Sequence, residues 1–214
     1  IAIVSSDIPL PMPTHLVMPA LLDTLYAAGV DPKDITLVFG LGIHREHTEE
    51  EKRKLAGERA YQEIRCMDST PRDCISYGIT RAGTPVDITR VVAEADRRIC
   101  LGNIEYHYFA GYSGGGKAIM PGVSTGEAIQ MNHRMMVEDS AAAGRLEDNP
   151  IRQDIEEAAA ILRISRNAAY AAARKWRATG GKVGIPCIEI GRTLRVPRAD
   201  LDRLLGRTAG PGAA

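Results

Sequence analysis

A chain of 214 residues, 44% apolar and 25% charged, has the make-up of an ordinary folded protein with one large or two small domains. No apolar run approaches a membrane span and no basic-then-apolar leader opens it, so the reading is cytoplasmic, with no membrane partner. The net charge of zero conceals an asymmetry: residues 1–159 carry 16 Lys+Arg against 24 Asp+Glu (16 − 24 = −8), and residues 160–214 carry 11 against 3 (11 − 3 = +8), as two modules with different partners would.

The chain opens inside a strand-like run, Ile1-Ala2-Ile3-Val4, without an initiating Met, as a fragment would. That apolar, β-branched run reads as a buried strand. It ends at Ser5-Ser6-Asp7 and enters a turn holding Pro9, Pro11 and Pro13. Thr14 is placed to cap a helix over residues 15–28, which Gly29 ends. Residues 35–39 form a second buried strand. Strand, helix, strand predicts a parallel sheet with a right-handed crossover. His44 follows that second strand and stands where open α/β sheets bind ligands. His47 reads as solvent-facing or supporting. Thr48-Glu49-Glu50-Glu51 is a capping box that opens a charged helix to about residue 57. Further strands are expected at residues 63–67 and 98–102. Between them lie a β excursion around Gly83, at residues 75–79 and 85–88, and a helix over residues 91–96. The cysteines, Cys66, Cys74, Cys100 and Cys187, form no C-x-x-C pair and read as reduced structural thiols.

The densest stretch is Glu105-Tyr106-His107-Tyr108-Phe109-Ala110-Gly111-Tyr112-Ser113-Gly114-Gly115-Gly116-Lys117. Gly114, Gly115 and Gly116 let backbone N–H groups approach a ligand closely. Lys117 follows as a cation or nucleophile, and His107 exchanges a proton near neutral pH. This is not a P-loop, because Ala118 stands where a Mg²⁺-holding hydroxyl is needed. After Pro121-Gly122 a helix is expected over residues 124–137, carrying Glu127, Asn132 and His133. The glycines, with Ser124 and Thr125 at that helix start, offer an anion site.

Together these runs resemble one family. Gly42-Ile43-His44-Arg45 with Thr48, Glu105-x-His107 leading to Lys117, Pro121-Gly122, Asn132-His133 and Asp148-Asn149-Pro150-Ile151-Arg152 stand in the order of the nickel-dependent lactate racemase family, over about residues 1–158. The resemblance implies a Rossmann-like α/β domain, a mostly parallel sheet with flanking helices. It also implies a nickel pincer nucleotide, the pyridinium-3-thioamide-5-thiocarboxylic acid mononucleotide with Ni. Lys117 would be joined to it covalently, with Asp7, Ser113, Gly114, Gly115 and Gly116 around it and His133 as the protein ligand to nickel. His44 and His107 would be the acid/base pair on the two faces of a small 2-hydroxy acid. The residue chemistry agrees, since interconverting mirror-image 2-hydroxy acids needs two bases that titrate near working pH, and imidazole also suits Ni(II). The sequence departs from the family twice. Leu10 replaces the arginine of the opening Asp-x-Thr-Arg-Pro motif, which helps hold the substrate carboxylate, so a less acidic or larger 2-hydroxy acid becomes plausible. The sequence also does not continue into the family's closing domain.

From Asp154 the pattern changes. Ile155, Ala158, Ala159, Ile161, Leu162 and Ile164 mark one helix face, and Ser165 opens a second helix over residues 166–176. A hairpin turns at Gly191-Arg192, a short helix spans residues 199–205, and residues 207–214 read as a flexible end. Glu157-Ala158-Ala159-x-Ile161-Leu162-x-Ile164-Ser165-Arg166-x-x-x-Tyr170, with Ile190-Gly191-Arg192 and Arg195-Val196-Pro197-Arg198-Ala199-Asp200-Leu201, resembles the excisionase-type winged helix-turn-helix. The resemblance implies a second domain over residues 154–206, after a first over residues 1–153. Arg166, Asn167 and Tyr170 would meet DNA bases, and Arg174, Lys175, Arg192 and Arg195 would meet phosphates. The +8 balance supplies the electrostatic pull. Two functions follow: a racemase or epimerase of 2-hydroxy acids, or a DNA-binding regulator carrying a truncated, non-catalytic racemase domain. The two patterns share residues 154–159.

Overall fold

The computed structural model describes residues 1–8, 12–162, 177, 180, 188–190 and 193–195. The chain divides into two compact units, Ile1–Ile164 and Ser165–Ala214. In chain order the first unit opens with β1 (Ala2–Ser6), α1 (Thr14–Ala27), β2 (Thr36–Gly40), α2 (Glu49–Ala56), α3 (Glu58–Glu63) and β3 (Arg65–Asp68). Then come β4 (Cys74–Ile79), β5 (Pro85–Thr89), α4 (Arg90–Ala93) and β6 (Arg98–Cys100). Strands β3, β2, β1 and β6 lie side by side in that order, all parallel. This is the parallel sheet that the strand–helix–strand pattern predicts.

Both faces of the sheet are covered, so side chains sort by the two-residue strand period. Ile3, Leu37 and Phe39 enter one core with Met18, Leu22, Ala56 and Ala60 from the helices α1 to α3. Ala2, Val4 and Val38 point the other way, into a core with Val86, Ile88, Ile119, Met120, Ile151 and Ile155. The hairpin of β4 and β5 lies where the β excursion is expected, and α4 is shorter than its expectation.

One polar side chain behaves differently from its sequence reading, and a second takes the supporting one of its two alternatives. Thr14 does not cap α1: Pro13 holds the cap position, and Thr14 Oγ1 instead lies 2.6 Å from Ser5 Oγ. Both hydroxyls are buried beside the end of β1, where each must find a protein partner. His47 is buried rather than solvent-facing, with Nδ1 2.7 Å from Asp68 Oδ1 and its ring edge-on to Phe39. It supports the turn after β2. The capping box is present in full: Thr48 Oγ1 accepts from the Glu51 N–H, and Glu51 Oε2 accepts from the Thr48 N–H.

The rest of the first unit brings β7 (Tyr106–His107), β8 (Gly111–Tyr112), α5 (Gly126–His133) and α6 (Pro150–Ile161). Asn149 opens α6 by accepting the Arg152 N–H at 3.1 Å, with Pro150 at the first helical position. The buried face of α6 comprises Ile151, Asp154, Ile155, Ala158 and Ala159. The units divide after Ile164 rather than after residue 153, so the helix that both sequence patterns use counts with the first unit. In the second unit the described pieces are β9 (Ile188–Ile190) and β10 (Thr193–Arg195), an antiparallel pair where the hairpin is expected. The helices expected at residues 166–176 and 199–205, with Arg166, Asn167, Tyr170, Arg174, Lys175 and Arg192, lie outside the described residues; Arg195 is in β10. Cys66, Cys74 and Cys100 are free thiols. No helix among the described residues is long and apolar enough to cross a membrane.

Candidate functional site

The carboxyl ends of β1, β2 and β6 open onto one rim, and the order of connection reverses across β1, the place where open sheets form a ligand crevice. From β6 the chain runs into the tight β7–β8 pair, which sets Tyr106 opposite Tyr112 and His107 opposite Gly111. Ser113 holds the two ends of this loop together: its Oγ donates to the Asn103 carbonyl at 2.7 Å and accepts the Glu105 N–H at 2.9 Å. Gly114 and Gly115 then take φ of +74° and +58°, a region that favours glycine. They lead into a 3₁₀ turn, Gly115–Ala118, that carries Lys117.

Phe109 organises the histidines. Its ring centre lies 4.5 Å from that of His107 and 4.9 Å from that of His133, both edge-on. Lys117 acts electrostatically on both imidazoles. Burial, then the Lys117 charge, then His133 push His107 from 6.5 down to about 4. Burial, then the neighbouring Arg152 guanidinium, bring Lys117 from 10.5 down to about 8. Burial and Lys117 also lower His133, opposed by its hydrogen bond with the Ile129 backbone. All three groups are therefore held toward their uncharged forms. At pH 7 an amine with a pKa near 8 is about a tenth neutral, and the neutral amine is the nucleophile.

Two residues of this region were not singled out from sequence. Arg152 Nη1 donates to the Tyr112 carbonyl at 3.2 Å, and its Nη2 lies 2.5 Å from Glu156 Oε1. Asp154, also on α6, accepts from Thr80 Oγ1, from Thr84 Oγ1 at 2.7 Å and from Asn132 Nδ2 at 2.7 Å, with all four side chains buried. That network fixes the end of α5, where His133 directly follows Asn132. The available signal was a carboxylate interrupting the apolar stripe Ile151, Ile155 and Ala158, since a charge on a buried face needs donors.

His44 sits on the adjoining loop. Its Nδ1 lies 2.5 Å from Asp7 Oδ2; Asp7 is buried and the imidazole is half exposed. A carboxylate only accepts, so the ring donates from Nδ1. Two hydrogen bonds relay this loop to Lys117: the Gly42 N–H donates to the Gly122 carbonyl at 2.9 Å, and the Gly122 N–H to the Lys117 carbonyl at 3.1 Å. The approach is close enough that a Cβ on Gly40 would stand 3.0 Å from Gly122 backbone. An open cleft of about 570 Å³ lies on this side, lined by Leu41, Gly42, Ile43, His44, Ser69 and Gly126 among others. His107, Lys117 and His133 do not line it. The structure thus gathers His107 and His133 around Phe109, with the Lys117 charge acting on both, and sets His44 beside Asp7. Ser124 and Thr125 are engaged locally: Ser124 Oγ donates to the Ile119 carbonyl, and Thr125 Oγ1 caps the Ala128 N–H. The Ser124 O–H is thus spent on a carbonyl, whereas Thr125 only accepts there and keeps its own O–H donor at the helix start.

A family model described as the lactate racemase N-terminal domain matches residues 1–144. The chain belongs to that family. A model described as a helix-turn-helix domain matches residues 154–208. The lactate racemase of Lactiplantibacillus plantarum is 35% identical over 170 residues, covering 77% of this chain and 40% of that protein. The lactate racemase of Thermoanaerobacterium thermosaccharolyticum is 31% identical over 164 residues, covering 74% and 38%. Among solved structures, the lactate racemase apoprotein from Thermoanaerobacterium thermosaccharolyticum superposes with a TM-score of 0.69 at 28% identity, over 75% of this chain and 40% of that one. A Thermotoga maritima protein gives a TM-score of 0.64 at 25% identity, over 75% and 42%. This lactate racemase family member spans about 40% of the length of the curated relatives it matches.

Proposed function

We propose that the first unit is the cofactor-holding part of a 2-hydroxy acid racemase or epimerase, with a nickel pincer nucleotide attached to Lys117. One observation carries this reading: the His107 and His133 rings both pack edge-on against Phe109, and the Lys117 charge acts on both imidazoles. The donor set agrees with such a group. His133 would be the protein donor to nickel and the pincer nucleotide would supply the others; no three His, Cys, Asp or Glu among the described residues are grouped to hold a metal ion. When bound, that group supplies a hydride acceptor for the substrate Cα.

The chain's own residues do the rest. Lys117, partly neutral, would hold the group through its side-chain nitrogen. Asp7 takes the Nδ1–H of His44, which leaves Nε2 to accept the proton of the substrate hydroxyl. His107 is set the opposite way: its Nδ1 accepts the Ala110 N–H at 3.1 Å, so the neutral ring carries its proton on Nε2 and offers it to an oxygen. The test is the intact mass and nickel content of the chain after co-expression with the enzymes that assemble the cofactor. A mass increment on Lys117 with one nickel per chain is expected. An unmodified, nickel-free chain would sink the reading.

The tail supports a second activity, carried by the helix-turn-helix match and the +8 balance of residues 160–214. It binds DNA mainly through phosphates, with affinity that falls steeply as salt rises. Gel shifts at two salt concentrations check this, and binding indifferent to salt contradicts it.

A further inference from the structure

We infer that DNA binding by the tail and docking of α6 in the first unit exclude one another, so that a molecule held at the turn carrying Lys117 shuts DNA binding off. The inference rests on the DNA-binding reading of the tail. The helix-turn-helix match begins at residue 154, whereas the first compact unit runs to Ile164. The overlap is a helix whose side chains are already in use. Ala158, Ala159 and Leu162, three of the cues to the helix-turn-helix, are buried in the first unit, and Ile161 packs against the same core. A helix in a domain as small as residues 154–208 must lay its apolar stripe on its own domain's other elements. One stripe cannot be buried in two cores at once. The polar contacts of α6 also belong to the first unit: Asp154 holds Thr80, Thr84 and Asn132, and Glu157 accepts from the Arg81 N–H at 3.3 Å.

The glycine loop couples the two activities. A Cβ on Gly116 would stand 3.0 Å from Ile155 Cγ2 and 3.4 Å from the Ala159 Cβ, so α6 lies directly on the turn that carries Lys117. A molecule held by that turn stabilises the docked state by RT ln(1 + c/Kd), with c its free concentration. By reciprocity, whatever favours docking weakens DNA binding by the same factor.

The experiment uses the full chain and short random-sequence duplex DNA at low salt. Gly116→Leu drives a side chain into Ile155 and Ala159 while leaving residues 154–208 untouched. Its DNA affinity should exceed that of the wild type by about tenfold or more, the scale of coupling between exclusive states, and Arg166→Ala in that background should remove the gain. Thr84→Val takes one donor from Asp154 with little change of shape and should move affinity the same way by less, which guards against general unfolding in Gly116→Leu. In wild type, amide protection over residues 150–162 should fall when DNA is added. Equal, Arg166-dependent affinity in wild type and both variants, with residues 150–162 still protected on DNA, overturns the exclusion and leaves the DNA-binding reading intact. Absence of any Arg166-dependent binding removes that reading and the inference together.

Discussion

His44 and His107 are the same side chain in opposite surroundings. Around His44 the nearest charged partner is the buried Asp7 carboxylate, which accepts a hydrogen bond from the Nδ1–H. Around His107 the titratable neighbours are Lys117 and His133, and a backbone N–H occupies Nδ1 from outside. One ring is left with an open acceptor, the other with an open donor. On the proposed acid/base reading of the two rings, these surroundings set which one starts as acceptor and which as donor.

The largest way to break this asymmetry is Lys117→Ala. It removes the amine and should abolish the covalent mass increment entirely after co-expression with the cofactor-assembling enzymes. His44→Ala removes the other half and should retain the increment, because His44 sits beside Asp7 on a different loop. A Lys117→Ala protein that still gains the mass would show that attachment occurs elsewhere.

Next in size is the support behind the His133 side. Asp154→Ala leaves Thr80, Thr84 and Asn132 without their buried acceptor, each donor lost costing on the order of 1–3 kcal/mol. The expected loss is about 3 kcal/mol of unfolding free energy, read from urea titrations, with the His44–Asp7 pair unchanged in its NMR signals. A loss near zero would mean that the network is not what fixes α5.

What sequence could and could not foresee follows from the reach of each interaction. Strands β1 and β2 are apolar runs that declare a sheet covered on both faces, and Thr48 and Glu51 cap locally. Those features rest on neighbours in the chain and are legible. His44, His107, Lys117 and His133 were singled out because each sits in a distinctive motif. The misplaced features are pairings across distance. Thr14 looks like a cap until Ser5 is folded against it, and His47 looks exposed until Asp68 arrives from β3. Asp7 was assigned to a cofactor because nothing local shows that its carboxylate meets His44. Arg152 stands in the run Asp148–Arg152, but nothing local shows that it meets the Tyr112 carbonyl, and the donors of Asp154 come from the β4–β5 hairpin and α5.

A smaller effect is the pH dependence of stability. His107 takes a proton near 6.5 when unfolded but only near 4 when folded. Between those values the unfolded state binds more protons, so stability should fall as pH drops from 6.5 to 4. His133 is lowered too and adds in the same direction. The Lys117 amine acts at the other end: folded, it loses its proton near 8 against 10.5 unfolded, so stability should rise with pH across that window. Urea midpoints measured across both windows check the signs. His107→Gln should flatten the acid slope and leave the alkaline one. An acid slope unchanged by that substitution would place its origin elsewhere.

The finest test concerns where two protons sit. Ring ¹⁵N shifts of the histidines at neutral pH distinguish a proton on Nδ1 from one on Nε2. His44 is expected with its proton on Nδ1, because the Asp7 carboxylate can only accept. His107 is expected with its proton on Nε2, because the Ala110 N–H already points at Nδ1. Asp7→Asn sharpens the contrast. An amide can donate as well as accept, so it no longer dictates which nitrogen of His44 carries hydrogen, and the His44 signals should move toward a mixture of both forms. His107 has no contact with Asp7 among its hydrogen bonds and should not move. Finding both rings in the same form in the wild-type protein would remove the division between acceptor and donor, and with it the assignment of His44 as the group that first takes the substrate proton.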